Sequence, residues 1–75
     1  MTRDEQIALL TAAANECLGA DEPDVLPQGN AFATTAAAMK RDANHTPDDL
    51  DTQLYCAEHV QEYIDSVKLL KAVFG

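Results

Sequence analysis

From Asp48 to Phe74 the chain contains neither glycine nor proline. A stretch of that length without a breaker reads as helix, and its flanks mark where the helix starts. Thr46 offers a side-chain oxygen to the free N–H groups of a first turn. Pro47 has no N–H to lose and a φ already suited to the first helical position. Asp48, Asp49 and Asp51 set negative charge against the positive end of the helix dipole, and Lys68 and Lys71 stand near the negative end. Leu50, Leu54, Ala57, Val60, Ile64, Val67, Leu70 and Phe74 recur at three- and four-residue spacing as one apolar stripe. These signals predict a single helix from Thr46 to Phe74. At 1.5 Å per residue it would be roughly 40 Å long, more than a compact domain of this size requires. Part of the stripe is then left for a partner.

The rest of the chain offers that helix little to pack on. Seventy-five residues make one domain, near the lower limit at which a core alone stabilises a fold. Of the 47% hydrophobic residues, thirteen are alanine, aromatic residues are 5%, and there is no tryptophan. A core this thin leads us to expect self-association, here as a homodimer. Thirteen acidic residues against five basic ones leave a net charge of −8. That balance opposes direct binding to nucleic acid, where Lys and Arg must displace counterions from phosphates, and opposes anionic membrane surfaces. It suits a soluble protein and equally one that docks on a basic protein surface. No apolar run approaches membrane-spanning length, and the polar, acidic opening Met-Thr-Arg-Asp-Glu-Gln does not read as a signal peptide. A cytoplasmic location is expected, with Cys17 and Cys56 reduced.

Thr2 and Glu5 have capping-box spacing, and a first helix is expected from about Arg3 to Leu18. Ile7, Leu10, Ala14 and Leu18 share one face, with Leu9, Ala13 and Cys17 beside them, and Gly19 is placed to end the helix in a left-handed conformation. Ala20 to Gly29, with two prolines and three acids, reads as a loop in which Val25 and Leu26 tuck against the core. Asn30 is the expected N-cap of a second helix from Ala31 to about Asp42. Phe32, Ala36, Met39 and Ala43 form its larger face, and Ala33, Thr34 and Ala37 a small-residue face for close packing. Lys40 and Arg41 complement its C-terminal dipole, and Asn44 suits a left-handed cap after it. The expected fold is all-α: one domain over residues 1–75, two shorter helices and one long C-terminal helix.

Three kinds of chemistry can be weighed. Cys56 and His59 share a helix face at a spacing that zinc accepts, and Cys17 and His45 could together complete a four-ligand set. A single Cys-x-x-His lacks the second pair that makes zinc motifs specific. As a nucleophilic pair the same residues lack a marked orienting group or oxyanion donor. No catalysis, metal or cofactor is therefore expected. The third possibility is recognition. Tyr55, His59, Glu62, Tyr63 and Ser66 form a second stripe beside the apolar one, and tyrosine combines a large apolar body with a polar tip. Asp48, Asp49, Asp51, Glu58, Glu62, Tyr55, His59 and Tyr63 are the expected partner-binding residues. Leu69, Val73 and Phe74, in an apolar run that wants something to pack on, are the expected oligomer contact.

The expectation is thus a non-enzymatic module that binds and modulates another protein with a basic surface. Small acidic helical proteins of this style are frequent among phage- or plasmid-encoded inhibitors of host machinery, including anti-CRISPR proteins and inhibitors of transcription regulators. That analogy is one of size and charge, with no motif behind it, and it places the protein in a host cytoplasm. A structural homo-oligomer or accessory subunit is the alternative, and a metal or redox site at Cys17, Cys56 and His59 a second one.

Overall fold

The computed structural model describes residues 1–74, so Gly75 lies outside the described residues. Helix α1 spans Arg3–Leu18 and opens on the capping box: Glu5 N–H donates to Thr2 Oγ1 at 3.2 Å, and Thr2 N–H donates to Glu5 Oε1 at 2.8 Å. Two orphan donors of the first turn are satisfied reciprocally. The bond from the Thr2 backbone, then that with its hydroxyl, hold the Glu5 carboxyl below its ordinary pKa. Leu10, Ala13, Ala14 and Cys17 are buried along α1, whereas Leu18, expected on the inward face, is exposed.

The chain between the first two helices differs from expectation at three points. Gly19 takes φ −92° and does not provide a left-handed turn; that conformation falls to Asp21 at φ 56°, one that aspartate tolerates better than most residues. Pro23–Val25 forms a 3-10 turn, with Glu22 capping it by accepting from Asp24 N–H at 3.2 Å. Helix α2 then begins at Leu26 and runs to Arg41, so Asn30 lies within the helix and is not its cap. Pro27 sits in the first turn, where its missing N–H costs no hydrogen bond. Val25 is fully buried as expected, but Leu26 faces out.

Starting early places Gly29 inside α2, where it meets α1. A Cβ at Gly29 would stand 2.8 Å from Cys17 Cβ and 3.4 Å from the Ala14 carbonyl oxygen. The absence of a side chain lets the two backbones close on each other. Phe32, Ala36 and Met39 are buried behind this crossing, and with the inward face of α1 they make most of the core.

Helix α2 ends differently from the sequence reading. Asn44 is not left-handed, and Ala43 is exposed beyond the helix. Asp42 is extended, its side chain accepting Asn44 N–H at 3.0 Å. The carbonyls here are satisfied from α1: the two N–H groups of Arg3 Nη2 are shared among Met39 O at 3.0 Å, Asp42 O at 2.8 Å and His45 O at 2.6 Å. An arginine far away in sequence replaces the local cap.

The all-α class stands, but the long helix is two. Thr46 does not cap it. Leu50 N–H closes a turn onto Pro47 O at 3.2 Å, and α3 starts at Leu50, spanning Leu50–Glu58. Helix α4 spans Val60–Phe74. Between them His59 adopts φ −112°, ψ 22°, its N–H shared between Tyr55 O at 3.3 Å and Cys56 O at 3.2 Å. Neither proline nor glycine causes this bend. On either side of it the partners differ: α3 packs on α1 and α2, while α4 packs on α1 and the 3-10 turn. The bend keeps Leu50, Ala57, Val60 and Ile64 all in the core. Burial ends there. Val67 is half-buried, and Leu70 and Phe74, the last members of the expected stripe, are exposed in a molecule 44 × 18 × 18 Å across.

Gly29→Ala isolates the α1–α2 crossing. Alanine favours a helix over glycine by about 1 kcal/mol, but overpacking a tight core contact costs about 1–3 kcal/mol. With 2.8 Å to another Cβ the clash wins. Urea unfolding should show a net loss of stability in this variant, and a gain would contradict the crossing.

Candidate functional site

Tyr55, His59, Glu62, Tyr63 and Ser66, the second stripe, come together as one wall of an open groove of about 380 Å³. Gln28 and Phe32 of α2 supply the opposite side, and Cys56 completes it. Phe32 is fully buried and Cys56 half-buried, whereas Tyr55 and Tyr63 are exposed, so the accessible apolar surface of the groove comes chiefly from the tyrosines. The rings of Tyr55 and His59 lie 4.5 Å apart, tilted by 47°. His59 Nδ1 is 3.6 Å from Glu62 Oε2, an ion pair only when the imidazole is protonated. The bend at His59 therefore falls in the middle of the groove.

The other expected contact residues stand around it. Glu58 is exposed on α3 but is not part of the lining, and Asp48, Asp49 and Asp51 are exposed at the start of α3, outside the groove. Asp49 accepts a bond from Gln53 Nε2 at 3.2 Å. Leu69, Val73 and Phe74 are 64%, 64% and 81% exposed, past Ser66 on the far part of α4. The structure thus makes three patches of what the sequence offered as two: an acidic start to α3, an aromatic groove, and an apolar end to α4.

Gln28, Phe32 and Cys56 went unmarked as groove residues because their role depends on how α2 lies against α3, which helical spacing within one segment does not reveal. The latch that holds α4 was missed for the same reason. Lys71 Nζ donates to Glu22 Oε1 at 2.9 Å and lies 3.6 Å from Asp24 Oδ2, tying α4 to the 3-10 turn. Glu22 is a buried carboxylate, and Lys71 was read only as a dipole partner. The Lys71 bond, followed by the Asp24 N–H, pulls the Glu22 carboxyl below its usual range, and the bond to Glu22 pushes Lys71 above its own.

No three His, Cys, Asp or Glu side chains among the described residues are grouped to hold a metal ion. Cys17 and Cys56 are free thiols, and burial, reinforced by Glu16, raises the Cys17 pKa, which disfavours the thiolate that ligation or attack requires. No helix among the described residues is long and apolar enough to cross a membrane. No protein-family model, curated protein or solved structure matches the chain. What the groove does has to follow from its own chemistry.

The latch carries a pH signature. A depressed carboxylate stabilises the fold above its ordinary pKa and loses that effect as pH falls through the lowered value. A raised lysine stabilises at and below its ordinary pKa and loses the effect as pH rises through the raised one. The latch should therefore hold across neutral pH. In urea titrations the wild type should exceed Glu22→Gln in stability at pH 7, and the gap should close as pH falls below 4.5, the usual glutamate value. A gap independent of pH would contradict the ion pair.

Proposed function

We propose that this chain is a non-enzymatic binding module that takes the basic surface of a partner protein against α3 and α4 and thereby modulates or inhibits it. The observation that carries this reading is the open groove, lined by two exposed tyrosines and with no lysine or arginine in its lining. Protein contacts concentrate their energy in aromatic residues that become desolvated, and surrounding charge sets orientation and approach. Asp48, Asp49, Asp51 and Glu58 supply that charge from exposed positions on or beside α3. With a net charge of −8, a basic partner is the one favoured by long-range attraction. Small size and acidity also suit an inhibitor of the phage-encoded kind acting in a host cytoplasm, on the same analogy as before.

A second reading has its own observation. Leu69, Leu70, Val73 and Phe74 leave an apolar end of α4 uncovered in the monomer, and a second copy of the chain is one way to cover it. The module would then be a homodimer, or the chain a structural subunit.

One experiment separates the two. Tagged protein is used to capture partners from natural-host lysate at low and high salt, beside a variant carrying Asp48→Asn, Asp49→Asn and Asp51→Asn. The binding-module reading expects one protein enriched at low salt and lost both at high salt and with the variant. Return of the bait alone at both salts removes it and leaves self-assembly.

A further inference from the structure

Glu62 is the acid that lines the groove, and its side chain is 82% exposed. Its neighbour there is His59, one contact at 3.6 Å, whereas a carboxylate has room for roughly four hydrogen bonds. Two cations of this chain are committed elsewhere: Lys71 to Glu22 and Asp24, and Arg3 to three carbonyls at the end of α2. Beside Glu62 stands the His59 ring, and the Tyr55 ring, on a residue 65% exposed, lies 4.5 Å from that of His59. Half-buried Cys56 and exposed Tyr63 add apolar surface to the same groove. An anion beside aromatic faces and apolar surface describes what a cationic side chain with a long hydrocarbon stem requires.

We propose that the groove receives an arginine side chain of the partner, its guanidinium against the Tyr55 and His59 rings, Glu62 as counter-charge and its methylene stem along Cys56 and Tyr63. This rests on the reading of the protein as a binder of basic surfaces and names the residue type that the groove takes. Arginine fits better than lysine because its guanidinium is planar, stacks on aromatic faces, is weakly hydrated and offers a fork of donors to a carboxylate. The stem lies on apolar surface while the head stays at the open rim, as long cationic side chains do. Aromatic residues elsewhere in the chain lack this combination: Phe74, 81% exposed, stands outside the groove, away from Glu62.

The test is an NMR titration of ¹⁵N-labelled protein with acetyl-Gly-Arg-Gly-amide and with the same peptide carrying citrulline, the neutral isostere. Arginine should move the signals of Tyr55, His59, Glu62 and Tyr63, and citrulline should leave them in place. Glu62→Gln should weaken the arginine response about two- to fivefold, the range of an exposed ion pair. Tyr55→Leu, which keeps apolar area and removes the ring face, should weaken it about as much. Both positions are exposed, so the variants test the site and not the fold. Equal responses to citrulline, or arginine shifts confined to Asp48, Asp49 and Asp51, overturn the proposal. So do groove signals that move with protein concentration alone, since a second copy would then occupy it.

Lysate capture tells the two failures apart. A partner held equally by wild type, Glu62→Gln and Tyr55→Leu keeps the binding-module reading and overturns the arginine site. A selective arginine response with no captured partner supports the site and removes that reading.

Discussion

The fold depends on how closely α1 and α2 approach each other at Gly29. A core rich in alanine has little area to bury per residue, so it gains contact chiefly by bringing backbones together. With 2.8 Å between Cys17 Cβ and the place a Gly29 Cβ would occupy, this crossing has no room for any side chain. Phe32, Leu10 and Met39, the largest fully buried side chains, belong to these same two helices. Arg3 and the capping box at Thr2 and Glu5 then satisfy polar groups at the ends of the pair.

Helices α3 and α4 are laid on that pair and take their shape from it. The bend at His59 arises with no proline or glycine in the sequence, and it falls where the packing partners of the chain change. Leu50, Ala57, Val60 and Ile64 reach the core from both sides of the bend. Farther along, the pair is too short to cover α4, and one buried carboxylate, Glu22, holds Lys71 where apolar contact has run out. Polar attachment at that point leaves the apolar residues of α4 uncovered and the aromatic stripe open as a groove. The open groove and the uncovered end of α4 are therefore a consequence of a small core.

Periodicity and capping made the helical class readable, along with the extent of α1, the burial of Val25 and the aromatic stripe itself. Each of these depends on residues within a turn or two of one another. What stayed hidden depends on distant residues: Gly29 as a crossing point, Arg3 as the cap of α2, Glu22 as the partner of Lys71, and α2 as the opposite side of the groove. The errors have the same origin. Thr46 and Asn30 are good caps by type, but Pro47 is held in a turn and α2 starts early enough to bring Gly29 onto Cys17. Gly19 had the freedom for a left-handed turn, and the chain made that turn at Asp21. In the candidate site, the residues of the stripe were visible and its concavity was not, because a groove needs two helices.

Amide hydrogen exchange followed by NMR in dilute solution tests most directly whether α1 and α2 hold the fold while the far part of α4 lies open. Exchange free energies report how much buried structure must open at each position. The slowest amides should lie between Leu10 and Cys17 and between Phe32 and Met39, with those from Leu69 to Phe74 exchanging far faster. If the end of α4 were as protected as the core of α1, something would have to cover it, and the account of an open α4 would fail.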